Sequence, residues 1–78
     1  MKTEMMELNI APEAAAMVRL EFLPPNNEHA RRIKTLAAAL ISECMMAKMS
    51  GVSDQARAAS IAITHIETGA MFAVKSVT

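Results

Sequence analysis

The chain has 78 residues, of which 53% are apolar and eight are methionine, and its eight basic residues are balanced by eight acidic ones. A domain of this size buries only about 60% of the surface that its unfolded chain exposes, so we expect self-association to cover the apolar excess. No run approaches the roughly 18–20 apolar residues of a membrane span. The zero net charge argues against binding duplex DNA or RNA, which requires a basic surplus.

Helix signals dominate the chain, and the apolar–polar alternation typical of strands is nearly absent. We interpret residues 1–78 as a single helical domain, in which residues 1–11 form a weak helix or a loose N-terminal arm. The sequence therefore predicts an all-α protein.

The first clear helix begins at Pro12, since proline suits the first position of a helix. The pattern predicts that this helix runs to between Leu20 and Phe22. It ends before Pro24-Pro25, because the residue that precedes a proline is pushed out of the α region.

The second helix is predicted from Glu28 to Met49, with Asn26 or Asn27 as its N-cap. Gly51 follows it and is expected to adopt the left-handed conformation that ends many helices. Apolar residues recur at steps of three and four along this helix and predict a stripe that faces the core: Ile33, Leu36, Ala37, Leu40, Ile41, Cys44 and Met45.

The third helix is predicted from Asp54 to Lys75, with Ser53 as its N-cap. One apolar row along it indicates a packing surface: Ala56, Ala59, Ile63, Ile66, Ala70, Ala73 and Val77. A second row lies on another side: Ala58, Ile61, Ala62, Gly69 and Phe72. A helix that is apolar on two sides has a neighbour on each, and we expect one of them to be another subunit.

These elements predict a protomer with two long antiparallel helices and a short N-terminal helix, assembled into a symmetric homo-oligomer. The third side of the last helix is polar and carries Arg57, Ser60 and Thr64, followed by Glu67 or Thr68. Hydroxyls and a guanidinium along one helix edge are well suited to phosphate oxygens. The alternative is an ordinary solvent-facing stripe.

A second candidate binding region joins Phe22 to the basic start of the second helix, where Arg31, Arg32 and Lys34 lie. An aromatic ring beside a proline-stiffened turn offers a platform on which a nucleobase can stack, and the cations would contact phosphate. The alternative is that Phe22 anchors the first helix in the core while the cations form a solvated face.

No catalytic signature is present. The only glycines, Gly51 and Gly69, cannot form a phosphate-binding loop, and His29, Cys44 and His65 lack the spacing of zinc ligands. We therefore expect no enzymatic activity, no metal and no cofactor. The single cysteine excludes an internal disulfide framework and favours a reducing cytoplasm.

Three segments, taken in their order and spacing, resemble one protein family. They are Phe22-Leu23-Pro24-Pro25, the basic helix start that ends in Ile33-Lys34, and the late stretch formed by residues 60–67 and Ala70-Met71-Phe72-Ala73. Together they resemble the phage-encoded anti-CBASS sponge proteins of the second anti-CBASS family, which counter the cyclic-oligonucleotide-based antiphage signalling system. The resemblance covers the chain from Arg19 to its C-terminus.

The resemblance implies a compact helical homohexamer that binds cyclic nucleotides made by host immune cyclases, in the host bacterial cytoplasm, and does not cleave them. Ligands of the cyclic GMP-AMP type would lie between two subunits. There Phe22, beside Pro24, would stack on a base, and Lys34, helped by Arg31, would contact phosphate.

Cyclic trinucleotides, such as those of the cyclic tri-adenylate type, would lie where three subunits meet. The resemblance implies that this site draws on Thr64, with Ser60 and Arg57 nearby on the same helix edge. The alternative function is a small helical interaction or regulatory module that pairs with a protein and binds no nucleotide.

Overall fold

The computed structural model describes residues 9–19 and 27–78. Of this part of the chain, 83% is helical and none is strand, which confirms the all-α prediction. Its helices are α1 (Pro12–Met17), α2 (Glu28–Ser50) and α3 (Ser53–Lys75). Two of the predicted site residues, Phe22 and Pro24, lie outside the described residues, as do residues 1–8 of the expected arm.

Helix α1 begins at Pro12, as predicted, but ends at Met17 rather than between Leu20 and Phe22. Arg19 has a φ of 54°, in the left-handed region that costs a non-glycine residue about 1–2 kcal/mol. Its N–H donates to the Ala16 carbonyl oxygen at 3.1 Å. This bond joins residues three apart, so the chain tightens at the end of the helix. The chain therefore leaves the helix before the proline pair is reached.

The start of α1 is tied to the middle of α2 by a buried hydroxyl. The Ala11 N–H donates to Ser42 Oγ at 2.8 Å, and Ser42 is only 4% exposed. The bond satisfies one of the free N–H groups that every helix N-terminus leaves. The end of the expected arm is thus fixed to α2 at Ala11.

Asn27 caps α2 and also joins its start to the end of α3. Its Oδ1 accepts a hydrogen bond from the Ala30 N–H at 2.9 Å, which is the expected capping contact. Its Nδ2 donates to the Val77 carbonyl oxygen at 2.9 Å. Since the start of α2 meets the end of α3, the two long helices are antiparallel, as predicted.

The connection between α2 and α3 differs from the prediction. Gly51 is extended, with φ −94° and ψ 164°, and is not left-handed. Glycine is needed there for space, because a Cβ would lie 2.8 Å from Gln55 Cβ and 2.9 Å from the Ala47 carbonyl oxygen. The N-cap of α3 is Val52 rather than Ser53, and the Val52 N–H donates to Gln55 Oε1 at 3.1 Å.

The core is built mainly from small side chains. The first apolar row of α3 faces it, since Ala59, Ile63 and Ala70 are buried, which confirms that prediction. From α2, Ile41 is fully buried and Cys44 packs against the core cluster. Small side chains let the helices approach closely but leave little room for large ones.

Several large apolar side chains are exposed in the protomer as a result. Leu36 and Leu40 are 61% and 52% exposed, so their expected place in the core stripe of α2 is wrong for the protomer. The core contacts run through Ala38 and Ile41, and this sets the rotation of α2 so that both leucines lie on its flank. On the second row of α3, Ile61 is 49% and Phe72 65% exposed.

Candidate ligand-binding site

Lys34 lies where the end of α1 meets the first turns of α2. Its Nζ donates to the carbonyl oxygen of Arg19 at 3.0 Å, and its side chain is half-buried. The left-handed turn at Arg19 brings this carbonyl within reach of α2. The predicted phosphate-binding ammonium therefore lies at a defined place, beside a residue that precedes Phe22 by three positions in the sequence.

A pocket of about 300 Å³ opens around this ammonium. Among the described residues, its lining combines two cations, one carboxylate and one hydroxyl with apolar side walls. A cation beside apolar and thioether surface suits a ligand that carries both a phosphate and a flat base. The pocket is lined by Met17, Val18, Arg19, Lys34, Glu67, Thr68 and Met71.

Arg31 does not line that pocket. It is exposed and adjoins a separate depression of about 200 Å³, formed with Arg32, Thr35 and Leu36. Although Arg31 and Lys34 are one turn apart on α2, the structure brings only Lys34 to the end of α1. The other two predicted members of this site, Phe22 and Pro24, fall within residues 20–26, outside the described chain.

The second predicted site lies on one face of α3, as expected. Arg57 and Thr64 are exposed and Ser60 is half-buried, at the three- and four-residue steps that place side chains on one helix face. The Thr64 hydroxyl donates to the Ser60 carbonyl oxygen at 3.2 Å. The Thr64 hydroxyl oxygen can still accept a hydrogen bond. To donate to a phosphate, however, the hydroxyl would have to break its hydrogen bond to the Ser60 carbonyl oxygen.

The two candidate sites are neighbours along α3. Thr68 lines the Lys34 pocket and follows Thr64 by four residues, which is a rise of about 6 Å along a helix. The antiparallel hairpin creates this proximity, because it places the start of α2 beside the end of α3. Hydroxyl groups on one face of α3 therefore lie both at the candidate Thr64 site and at the Lys34 pocket.

Sequence reasoning did not assign Arg19, Glu67 or Met71 to the Lys34 site. In the sequence, Glu67 belongs to the polar edge of the last helix and to a family-like segment, and Met71 belongs to a family-like segment. The available signal was weak: Glu67 and Met71 are four residues apart and share a face of α3. Nothing in the sequence predicts that Arg19 is left-handed.

Within residues 9–19 and 27–78, no group of three or more His, Cys, Asp or Glu side chains is placed to hold a metal ion. None of the helices described is sufficiently long and apolar to traverse a bilayer.

The described chain is a helical hairpin with a short helix packed on α2, and it carries a cationic pocket beside a hydroxyl-lined face. Residues 12–78 match the family model described as Acb2/Tad1, hairpin domain. The chain therefore belongs to the Acb2/Tad1 family, a family of phage anti-CBASS sponge proteins that is non-catalytic in general. No curated protein and no solved structure matched the chain.

Proposed function

We propose that this protein sequesters the cyclic di- and trinucleotide messengers of host antiphage immunity and releases them unchanged. The observation that carries the proposal is the family match over residues 12–78. The cationic pocket at Lys34 supports it, because a small anionic ligand needs a few well-placed donors rather than a basic surface.

In the proposed dinucleotide site, Lys34 contacts phosphate and Phe22 stacks on a base. The position of Lys34 supports this role, since the hydrogen bond from its Nζ to the Arg19 carbonyl oxygen restricts the side chain before the ligand arrives. Pre-ordering of this kind lowers the entropic cost of binding. The proposed role of Pro24 is to restrict the backbone next to Phe22, since the proline ring fixes φ. The exposed Arg31 supplies a further cation from outside the pocket.

In the proposed trinucleotide site, Thr64, Ser60 and Arg57 meet their copies from two other subunits. Their shared face on α3 supports this arrangement, because a three-fold junction would present three equal sets of donors to a ligand with three phosphates. Each subunit then needs only one guanidinium. A chain with zero net charge is compatible with such a site, because symmetry multiplies its cations.

The proposal requires a symmetric homo-oligomer, and we propose a hexamer. Exposed apolar side chains on two surfaces, Leu36 and Leu40 on α2 and Ile61 and Phe72 on α3, support association. Full burial of an exposed side chain of this kind contributes about 1.5–3 kcal/mol, and these side chains, which are 49–65% exposed, can gain roughly half of that. A two-fold interface repeats every contact and so matches a ligand with two-fold symmetry.

The proposed mechanism is mass action in the host bacterial cytoplasm. Tight binding lowers the free messenger below the concentration that the host effector needs, so no bond is broken and no cofactor takes part. Duplex DNA and RNA are not ligands in this scheme. Helical walls favour tight binding because little of the site has to be ordered when the ligand enters.

One experiment separates this proposal from its rivals. The full chain is incubated with a panel of cyclic di- and trinucleotides, binding is measured by calorimetry, and the protein is then denatured and the nucleotide analysed. Recovery of intact cyclic nucleotide supports sequestration, whereas a linear product would identify an enzyme. An absence of binding across the panel would leave the helical interaction module, which binds a protein partner.

A further inference from the structure

The Lys34 pocket contains a carboxylate, which is unexpected in a site for an anionic ligand. Glu67 is exposed and lines the pocket together with Lys34 and Arg19. A carboxylate and a phosphate are both negatively charged and repel each other when they are close. A phosphate that binds at the two cations must therefore keep away from Glu67, and a different part of the ligand has to meet this side chain.

An ionised carboxylate only accepts hydrogen bonds, through two oxygens that lie side by side. Among the four common bases, guanine alone presents two adjacent donors on its Watson–Crick edge, the N1–H and the N2 amino group. Adenine presents an acceptor beside its amino group, so a carboxylate would meet one donor and one repelling lone pair. Single nucleotides are commonly read through these edges once the base is unpaired.

The position of Glu67 on α3 allows its carboxylate to contact the edge of a bound base in this way. Met71 follows it by four residues, so the carboxylate and the thioether share one helix face. Met17, from α1, lines the same pocket. A base that enters between these methionines has apolar contacts with its ring, while its polar edge is available to Glu67.

We propose that Glu67 is a specificity-determining residue that selects guanine-containing cyclic dinucleotides at the Lys34 pocket. This inference rests on the proposed sequestering function and names the ligand class for that same site. Glu67 accepts from the guanine N1–H and N2–H groups. Lys34 and Arg19 contact the phosphates.

The test compares cyclic di-GMP with cyclic di-AMP, which have the same ring and charge and differ only in their bases. Calorimetry on the full chain is expected to show a preference for cyclic di-GMP of roughly tenfold or more, since charge-assisted hydrogen bonds are the strong ones. Glu67→Gln is expected to remove that preference. Glutamine keeps one acceptor but puts a donor in place of the other, which suits adenine better than guanine.

Glu43→Gln is the matched control, because it removes the same charge from an exposed position on α2 outside this pocket. It should leave the base preference unchanged. Equal affinity of the unaltered chain for both dinucleotides, or an equal effect of Glu67→Gln on both, would overturn the assignment to Glu67 while leaving sequestration intact. Failure to bind any cyclic di- or trinucleotide would overturn both proposals.

Discussion

Lys34→Ala tests the proposed dinucleotide site most directly. The substitution removes the ammonium from the pocket and also removes its hydrogen bond to the Arg19 carbonyl oxygen. We expect a large loss of cyclic dinucleotide affinity together with a small loss of stability. The two effects have different sizes, so they can be measured separately.

The expected loss of affinity follows from the charge of the lost contact. One hydrogen bond to a charged group contributes about 1.5–3 kcal/mol. If a two-fold interface presents Lys34 twice to one ligand, the loss is about 3–6 kcal/mol, or roughly 10²- to 10⁴-fold in Kd. The bond to Arg19 is exposed and is not repeated across the ligand, so its loss costs only about 0.5–1.5 kcal/mol of folding free energy.

The assay is calorimetric titration of Lys34→Ala with a cyclic dinucleotide and with a cyclic trinucleotide, alongside urea unfolding at a fixed protein concentration. Lys48→Ala is the control, since it removes an exposed lysine from the last turn of the same helix. A dinucleotide Kd within twofold of the unaltered protein would refute the role of Lys34. Equal losses for both substitutions would show a general charge effect instead of a site.

Substitutions at four further positions test the remaining parts. Phe22→Ala should weaken cyclic dinucleotide binding by about 1–3 kcal/mol and leave the assembly intact by light scattering; unchanged affinity would remove the stacking role. Thr64→Ala should weaken trinucleotide binding alone, and an equal loss for dinucleotides would contradict two separate sites. Asn27→Ala should lower the free energy of unfolding by about 0.5–2 kcal/mol, and Asn27→Asp, which keeps an acceptor for the Ala30 N–H but loses the donor to the Val77 carbonyl oxygen, should recover only part of it. Phe72→Arg, at a side chain 65% exposed in the single chain, should dissociate the proposed oligomer in ultracentrifugation; an unchanged mass would place the interface elsewhere.

The helices themselves were largely predictable from local sequence. Pro12 begins α1 and Asn27 caps α2 because the fixed φ of proline and the short amide side chain act on their immediate neighbours. The core row of α3 followed from spacing alone, since steps of three and four repeat one helix face. These features depend on a few residues at a time.

The predictions failed where the contacts of a residue, and not its type or its spacing, decide its conformation or burial. Gly51 is required by its closeness to Ala47 and Gln55 and not by a left-handed φ, which a glycine signal alone cannot distinguish. Leu36 fits the apolar periodicity of α2, but contacts with α1 and α3 rotate it outward. The sequence likewise could not predict which residues line the Lys34 pocket, because α1, α2 and α3 all contribute to it.

The sequence by itself determined that the chain is helical and where most of its helices begin and end, and three short segments of it indicated the family that the match over residues 12–78 then confirmed. Periodicity and capping depend on residues that are close together in the sequence, so the sequence alone is enough to recognise them. Only the tertiary structure decided which apolar residues face the core and which cations line a pocket together with Glu67. Those outcomes depend on how the helices pack against one another, and that packing brings Arg19, Lys34 and Glu67 around one pocket.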